Sequence, residues 1–262
     1  MRSLSVHFLP SLTTPEELAG GTVVVIDVLR ASTTIIHALA AGAKEVIPCL
    51  EVEEARAVAA KYPRDTVVLG GERAGLKIDG FDLGNSPREY TPERVGGKTV
   101  VFTTTNGTRA MQMCRLAKRV LVGAFVNAES VADKLGDTSN IHLLCAGTDG
   151  KVSAEDSAAA GTITLVVQSV LHQHAFTLND AAMIASEMYV PRAIFREERY
   201  NNPQALEQPN YLREMGDMLS ISKGAANLRE IGFAKDIWGA VIVHENEIVP
   251  ELDLVTWRIT AG

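Results

Sequence analysis

The clearest indication of the fold class is the stretch Thr22-Val23-Val24-Val25-Ile26-Asp27-Val28-Leu29-Arg30-Ala31-Ser32-Thr33-Thr34. Its first five residues form a β-rich apolar run without polar alternation, which predicts a strand covered on both faces. The run ends at an acid, after which an arginine and three hydroxyl side chains lead into a helical pattern over Ser32 to Ala41. A buried strand that passes directly into a helix is typical of α/β architecture.

The same alternation of apolar runs and helical patterns continues along the chain. Further strands are predicted at Thr66 to Leu69, Lys98 to Phe102, Val120 to Val122, Ile141 to Leu144 and Ala240 to Val243. Further helices are predicted at Glu51 to Lys61, Gly107 to Ala117, Asn127 to Leu135, Ala154 to Gln173, Met183 to Ala185 and Lys223 to Ile231, with a turn at Asn201 to Gln204. We therefore expect an α/β unit spanning residues 1–262, in which a boundary near residue 130 would separate subdomains 1–130 and 131–262.

Composition excludes several classes of protein. The net charge of −7 disfavours binding to nucleic acid or to anionic membranes. No apolar run approaches the roughly 20 residues that a bilayer requires, and the amino terminus does not resemble a signal peptide. Three widely spaced cysteines, Cys49, Cys114 and Cys145, indicate buried reduced thiols, and no Cys or His spacing fits a zinc site. We expect a cytoplasmic protein, and a homodimer is compatible with the sequence.

A second polar junction lies after the strand that ends at Phe102. Thr103-Thr104-Thr105-Asn106-Gly107-Thr108-Arg109 combines small donors, a glycine and the start of a helix. Such a loop can hold phosphate oxygens, because the glycine lets an anion approach the backbone and the helix dipole favours negative charge. It lacks the lysine of a Walker loop, so hydrolysis of nucleoside triphosphates is not indicated. An elaborate turn with a helix cap is the alternative explanation.

Carboxylates recur near the remaining junctions. Glu72 and Asp82 lie in a loop region dense in glycine and charge, whereas Glu155 and Asp156 begin the helix that follows Cys145-Ala146-Gly147. Adjacent acids at a helix start also occur simply because they suit the helix dipole. Mg2+ prefers a few carboxylate oxygens together with water and substrate phosphate. The candidate metal ligands are therefore Asp27, Glu72, Asp82, Glu155 and Asp156.

These motifs together resemble the 2-phosphosulfolactate phosphatase (ComB) family, which is associated with coenzyme M biosynthesis. The resemblance rests on motifs in the same order along most of the chain: Val24 to Ala31, Gly71 to Lys77, Gly80 to Pro87, Thr104 to Thr108, Cys145 to Gly147 with Glu155-Asp156, and Ser222 to Asp236. It implies a three-layer α/β/α fold with two similar, intimately packed subdomains. It also implies Mg2+-dependent hydrolysis of (2R)-2-phospho-3-sulfolactate to 3-sulfolactate and phosphate.

The polar residues at the strand ends, taken together with this resemblance, suggest roles for individual side chains. The expected catalytic residues are Asp27, Arg30 and Arg73. The expected substrate-binding residues are Lys77, Asn85, Thr104, Thr105, Asn106, Gly107, Thr108 and Arg109, and Arg88 could help to select a second anionic group. The nucleophile is left open between a metal-activated water and a carboxylate such as Asp27. Two alternatives remain: a phosphatase for another small 2-phosphorylated acid, or a non-catalytic anion-binding protein.

Overall fold

The computed structural model describes residues 2–170, 176–188, 216–217, 219–242 and 246–262. The strands are β1 (Arg2–His7), β2 (Thr22–Ile26), β3 (Glu45–Cys49), β4 (Val67–Arg73), β5 (Leu76–Lys77), β6 (Thr99–Thr103), β7 (Arg119–Gly123), β8 (Asn140–Cys145), β9 (Phe176–Leu178), β10 (Glu251–Asp253) and β11 (Arg258–Thr260). The helices are α1 (Ala31–Ala40), α2 (Val52–Ala59), α3 (Pro92–Val95), α4 (Gly107–Met113), α5 (Ala128–Leu135), α6 (Ala154–Val170), α7 (Asp180–Met188), α8 (Lys223–Glu230) and α9 (Ala234–Ala240). The α/β class is confirmed.

The strands pair into a mixed sheet of order β5-β4-β6-β3-β11-β10-β7-β2-β8-β1-β9. β3, β4 and β6 form one parallel group, and β1, β2, β7, β8 and β9 form the other. The β10–β11 hairpin lies between them and pairs antiparallel with β3 on one side and with β7 on the other. Three successive antiparallel pairings mean that the two parallel groups run in opposite directions along the sheet.

The inner strands β2 and β6 are buried on both faces. In β2, Val24 and Ile26 pack into the core that includes residues of α5, α6 and α7, whereas Val23 and Val25 pack into the core shared with α1. In β6, Val100 and Val101 likewise pack into different cores, and the core that contains Val101 includes residues of α2. Because successive side chains of a strand point to opposite faces, this division shows why the runs contain no polar alternation. Helices thus lie against both faces of β2, and the three-layer arrangement stays a prediction.

One predicted strand is wrong. Ala240 is the last residue of α9, and the residues 241–242 that follow it lie outside any strand, whereas Val243 is outside the described residues. Ala240 and Val241 are buried in a core, and a short apolar run of this kind does not by itself distinguish a strand from the buried end of a helix. The predicted turn at Asn201 to Gln204 and the end of the helix predicted to Gln173 also lie outside the described residues.

Strands from both sides of residue 130 pair directly, since β8 lies between β2 and β1. The division into subdomains 1–130 and 131–262 stays a prediction. All three cysteines are buried and free, as expected. Across the described ranges, no helix combines the length and the hydrophobicity that crossing a membrane would require.

Candidate active site

A cleft of about 450 Å³ forms where the ends of β2, β4, β6 and β8 approach α8. β2 and β8 belong to one parallel group, and β4 and β6 belong to the other, so both groups contribute to it. The cleft brings together seven of the residues selected from the sequence: Asp27, Arg30, Glu72, Asn85, Thr104, Thr105 and Asn106. Polar strand ends therefore converge here, as they do in many α/β ligand sites.

Asp27 follows the last residue of β2 and is only 6% exposed. Its Oδ1 accepts the Ala31 N–H at 3.2 Å, and its own N–H donates to the Ser32 hydroxyl at 2.9 Å. Burial, reinforced by the charges of Glu72 and Glu155, raises the pKa of Asp27 from 3.8 to about 7, although the Ala31 N–H acts in the opposite direction. The carboxyl group therefore titrates close to neutral pH, where it can exchange a proton or exist as a carboxylate.

Glu72 is also buried, and both of its oxygens accept backbone N–H groups. Oε1 accepts from Thr105 at 2.8 Å, and Oε2 accepts from Gly75 at 2.7 Å. These bonds join the end of β4 to the threonine loop after β6 and fix the orientation of the carboxylate. Each carboxylate oxygen has a second lone pair, so the group can still bind a cation.

Glu155 and Asp156 are adjacent in α6 but differ in their contacts. The two oxygens of Asp156 accept the Val28 N–H at 2.8 Å and the Gly147 N–H at 2.9 Å. Burial, followed by the charges of Asp27 and Glu155, raises the pKa of Asp156 well above its ordinary value. Asp156 thus ties the loop after β2 to the loop after β8.

The carboxylate of Glu155 has fewer hydrogen-bond partners than that of Asp156. Its Oε1 accepts the Thr148 hydroxyl at 3.4 Å, whereas Oε2 is buried and has no hydrogen-bond partner among the residues described. Burial raises the pKa of Glu155, although its own backbone N–H and the hydroxyl groups of Ser222 and Thr148 act in the opposite direction. Gly224 of α8 packs tightly here, because a Cβ at that position would lie 2.0 Å from Glu155 Oε1. Of the two acids, Glu155 retains the freer oxygen for a ligand.

Arg30 enters the cleft already paired. Its Nη1 donates to Asp236 Oδ2 at 2.9 Å, and its Nη2 donates to the Gly75 carbonyl oxygen at 2.6 Å. The guanidinium also lies 4.6 Å from the centroid of the Phe233 ring. Both charged side chains are 2% exposed, and an unpaired charge at such depth would cost on the order of several kcal/mol.

The threonine loop supplies further polar atoms. The hydroxyl oxygens of Thr104 and Thr105, and Oδ1 of Asn85, are buried without a hydrogen-bond partner in the described part of the chain. Thr108 is committed to its own helix, because its hydroxyl donates to the Thr104 carbonyl oxygen at 2.8 Å. Buried polar atoms are normally hydrogen-bonded, so several such oxygens around one cleft indicate a polar ligand.

Comparison with known proteins identifies the family of this chain. The family model for 2-phosphosulpholactate phosphatase matches residues 7–254. The chain belongs to the 2-phosphosulfolactate phosphatase family. A probable 2-phosphosulfolactate phosphatase of Caldanaerobacter subterraneus subsp. tengcongensis is 38% identical over 237 residues, which cover 90% of this chain and 89% of the relative. One from Symbiobacterium thermophilum is 39% identical over 223 residues, which cover 85% and 87% of the two chains. The family resemblance expected from the motifs is thus confirmed, and the family comprises phosphoric monoester hydrolases.

Several residues that the sequence predicted for the active site lie outside the cleft. Asp82 contacts Arg64 through Oδ1 and accepts the Leu69 N–H at 2.9 Å through Oδ2, away from the cleft lining. Arg73 donates to the Glu72 and Leu50 carbonyl oxygens, both at 2.8 Å. Its side chain therefore connects the end of β4 to the residue that follows β3. The three cations expected to bind an anionic group are exposed and do not line the cleft: Lys77, Arg88 and Arg109.

Gly107 also differs from expectation. A Cβ at Gly107 would lie 2.7 Å from Ala31 Cβ and 2.9 Å from Asp27 Oδ2, so the missing side chain makes room for Asp27. The sequence hypothesis placed an anion in this space. The glycine is therefore explained by close packing of α4 against the loop after β2.

Sequence reasoning did not single out Asp236, Thr148, Gly224 and Asn227 as members of a phosphatase site, although the last three line the cleft. Asp236 belongs to the Ser222 to Asp236 motif, yet its partner Arg30 is 206 positions away. The available signal was an acid next to the apolar residues Ile237 and Trp238 in the helix Ala234–Ala240. Such an acid is rarely buried without a partner.

The oxygen atoms around this family member's cleft fit Mg2+ better than a transition metal. No group of three or more His, Cys, Asp or Glu side chains in the described ranges is arranged to hold a metal ion by itself. Mg2+ does not need such a cage, since it usually binds one or two carboxylates together with water and substrate phosphate. The unpartnered Glu155 Oε2 and the neighbouring Asp27 and Glu72 carboxylates offer that chemistry.

Proposed function

We propose that this protein hydrolyses (2R)-2-phospho-3-sulfolactate to 3-sulfolactate and phosphate in an Mg2+-dependent reaction, with the cleft as its active site. The observation that carries the proposal is the position of Asp27, whose pKa near 7 arises from burial beside Glu72 and Glu155. Three carboxyl groups placed so closely repel one another unless protons or a cation neutralise them. The family match and the names of its relatives support the same reaction class.

One or two of the Asp27, Glu72 and Glu155 carboxylates would hold Mg2+, together with water and the substrate phosphate. The ion, when bound, would supply positive charge that stabilises the phosphoryl oxygens of the substrate. The backbone N–H bonds from Thr105 and Gly75 keep the Glu72 carboxylate in place before the substrate arrives. Preorganised oxygen atoms of this kind reduce the cost of binding.

The substrate phosphoryl group would be bound by hydrogen-bond donors of the cleft. Arg30 retains N–H groups beyond those given to Asp236 and Gly75, and the hydroxyl groups of Thr104 and Thr105 have no other partner in the described ranges. Donors that face an anionic oxygen are strong because the acceptor is charged. This arrangement would orient the phosphorus atom toward Asp27.

Two routes for hydrolysis remain, and both break the bond between phosphorus and the oxygen on carbon 2 of the substrate. In one, the Asp27 carboxylate attacks phosphorus and a water later releases phosphate from the acyl phosphate. In the other, water attacks directly and the Asp27 carboxylate accepts its proton. The stereochemical course at an isotopically chiral phosphoryl group separates the two routes, because two successive displacements retain the configuration at phosphorus whereas a single displacement inverts it.

The positions of the expected substrate-binding cations make an alternative substrate worth testing. Lys77, Arg88 and Arg109 were expected to bind a second anionic group, but none of them lines the cleft. The described lining therefore does not favour a sulfonate over another acidic group. A phosphatase for a different small 2-phosphorylated acid is the alternative.

Phosphate release should be measured from phosphosulfolactate, phospholactate and phosphoglycerate, each with Mg2+ and with EDTA. We expect Mg2+-dependent release, with the highest kcat/KM for phosphosulfolactate. A higher kcat/KM for phospholactate or phosphoglycerate would replace the substrate but keep the reaction. Tight phosphate binding without release from any of the three would instead favour a non-catalytic anion-binding protein.

A further inference from the structure

Asp236 of α9 uses both carboxylate oxygens to hold residues from two other loops. Oδ2 accepts Arg30 Nη1 at 2.9 Å, and Oδ1 accepts the Ser86 hydroxyl at 2.8 Å. Asp236 is 3% exposed, and its contacts span 206 positions to Arg30 and 150 to Ser86. A single buried carboxylate thus joins the carboxyl-terminal part of the chain to the loop after β2 and to the segment before α3.

The segment that contains Ser86 also forms part of the cleft. Asn85 precedes Ser86, lines the cleft, and has a buried Oδ1 without a partner in the described residues. The Asn85 carbonyl oxygen accepts the Thr34 hydroxyl at 2.9 Å, which ties the same segment to α1. By binding Ser86 and Arg30 together, Asp236 sets the position of Arg30 relative to Asn85.

The direction of the Arg30 donors is fixed by the same contacts. A guanidinium has five N–H groups in a rigid plane. One is given to Asp236 and one to the Gly75 carbonyl oxygen, while the Phe233 ring lies 4.6 Å from the guanidinium carbon. Three N–H groups remain, and their orientation depends on the two that are bound. A small shift of the Asp236 carboxylate would therefore turn the remaining donors.

We propose that Asp236 is a positioning residue of the phosphatase, which aligns Arg30 on the substrate phosphoryl group and balances its charge. The inference rests on the proposed function for its effect on turnover. It adds that Arg30 binds anions through oriented N–H groups with little net charge, because the paired carboxylate offsets the guanidinium. Product phosphate is consequently held less tightly than an unpaired arginine would hold it.

Asp236→Asn and Asp236→Glu separate these two effects. The asparagine variant keeps the shape but removes the negative charge, so we expect kcat to fall by about tenfold or more while inorganic phosphate binds several-fold more tightly. The glutamate variant keeps the charge but displaces the carboxylate, so kcat should fall while phosphate affinity stays within about twofold of wild type. Phosphate affinity is measured by calorimetry with Mg2+ present, and thermal unfolding reports on folding.

Glu45→Gln is the matched control. Glu45 Oε1 accepts Arg258 Nη1 at 2.5 Å and the Thr99 hydroxyl at 2.9 Å, the same combination of arginine and hydroxyl around a buried carboxylate. Glu45 begins β3 and does not line the cleft. We expect Glu45→Gln to lower the unfolding temperature and to leave kcat and phosphate affinity unchanged.

The outcomes are distinct. Unchanged kcat in both Asp236 variants, or weaker phosphate binding in a folded Asp236→Asn variant, would overturn the positioning role. If Asp236→Asn does not fold, kcat of Asp236→Glu decides the question. If wild-type protein releases no phosphate from any substrate, the proposed function fails separately, and tighter phosphate binding by Asp236→Asn would still support charge balancing at Arg30.

Discussion

The backbone of Gly107 lies directly against the carboxylate of Asp27. A Cβ at Gly107 would be 2.9 Å from Asp27 Oδ2 and 3.5 Å from Asp27 Cβ, and the first distance is closer than such contacts occur in folded proteins. The Gly107 N–H also helps to counter the rise in the pKa of Asp27. The glycine at the start of α4 therefore shapes the surroundings of the acid at the end of β2.

Gly107→Ala should lower kcat by displacing Asp27, because the added methyl group also meets Ala31 Cβ at 2.7 Å. We expect a loss of about tenfold or more in kcat, since small displacements of a reacting group have large effects. Gly239→Ala is the control, as a Cβ there meets no atom within 4 Å. Steady-state kinetics of both folded variants would show the difference, and wild-type kcat in Gly107→Ala would mean that Asp27 tolerates displacement.

Glu72→Gln should weaken activity through the affinity for Mg2+. The substitution removes the charge, and the amide can keep an acceptor for only one of the Thr105 and Gly75 N–H groups. We expect the Mg2+ concentration at half-maximal rate to rise by about tenfold or more, with part of the rate restored at high Mg2+. A rate that no Mg2+ concentration restores would assign Glu72 to structure or substrate positioning instead.

Asp82→Asn provides the comparison for that titration. Asp82 contacts Arg64 and the Leu69 N–H, and it does not line the cleft. We expect its Mg2+ dependence to match that of wild type. A shift as large as that of Glu72→Gln would return Asp82 to the set of metal ligands proposed from the sequence.

The metal-free protein should lose stability as the pH rises. Burial first, and then the charges of Glu72 and Glu155, raise the pKa of Asp27 from 3.8 to about 7, so the folded state binds a proton that the unfolded state has released. The resulting stabilisation is complete below the pKa that Asp27 has in the unfolded state. It disappears as the pH rises through the pKa that Asp27 has in the folded state. The raised pKa of Glu155 and of Asp156 acts in the same direction.

Thermal unfolding in EDTA between about pH 4 and about pH 8 measures this effect. We expect the unfolding temperature of wild type to decline with pH more steeply than that of Asp27→Asn, which cannot titrate at this position. Mg2+ should raise the unfolding temperature most at the higher pH, because it competes with the proton. Parallel curves for the two proteins would show that Asp27 has an ordinary pKa.

The sequence predicts the helices and strands that bury uninterrupted apolar runs, because local periodicity determines them. Val24 and Val25 need no distant partner to indicate a strand. The short hairpin Glu251–Asp253 with Arg258–Thr260 was missed, since it depends on pairing with β3 and β7 rather than on its own pattern. Ala240 was misassigned because burial alone cannot distinguish the end of a helix from a strand.

In the site, the sequence identified residues at strand ends but not their partners. Asp27, Glu72 and Thr104 follow or end apolar runs, which marked them as candidates. Asp27 lies in one parallel group, whereas Glu72 and Thr104 lie in the other, which runs in the opposite direction, so their convergence depends on the tertiary structure. Arg73 and Asp82 have the same chemistry in sequence, yet local contacts with Leu50 and Arg64 hold them outside the cleft. The pairing of Arg30 with Asp236 depends on tertiary structure, and no local pattern encodes it.

The most direct test of the account is phosphate release from (2R)-2-phospho-3-sulfolactate by wild type and by Asp27→Asn, each with EDTA and with added Mg2+. Asp27→Asn preserves the size of the side chain while removing a carboxylate that lines the cleft, so we expect kcat to fall by at least about a hundredfold. Wild type should be inactive in EDTA and recover when Mg2+ is restored, whereas the variant should remain folded and inactive in both. Equal turnover by the two proteins, or wild-type turnover unaffected by EDTA, would contradict the account.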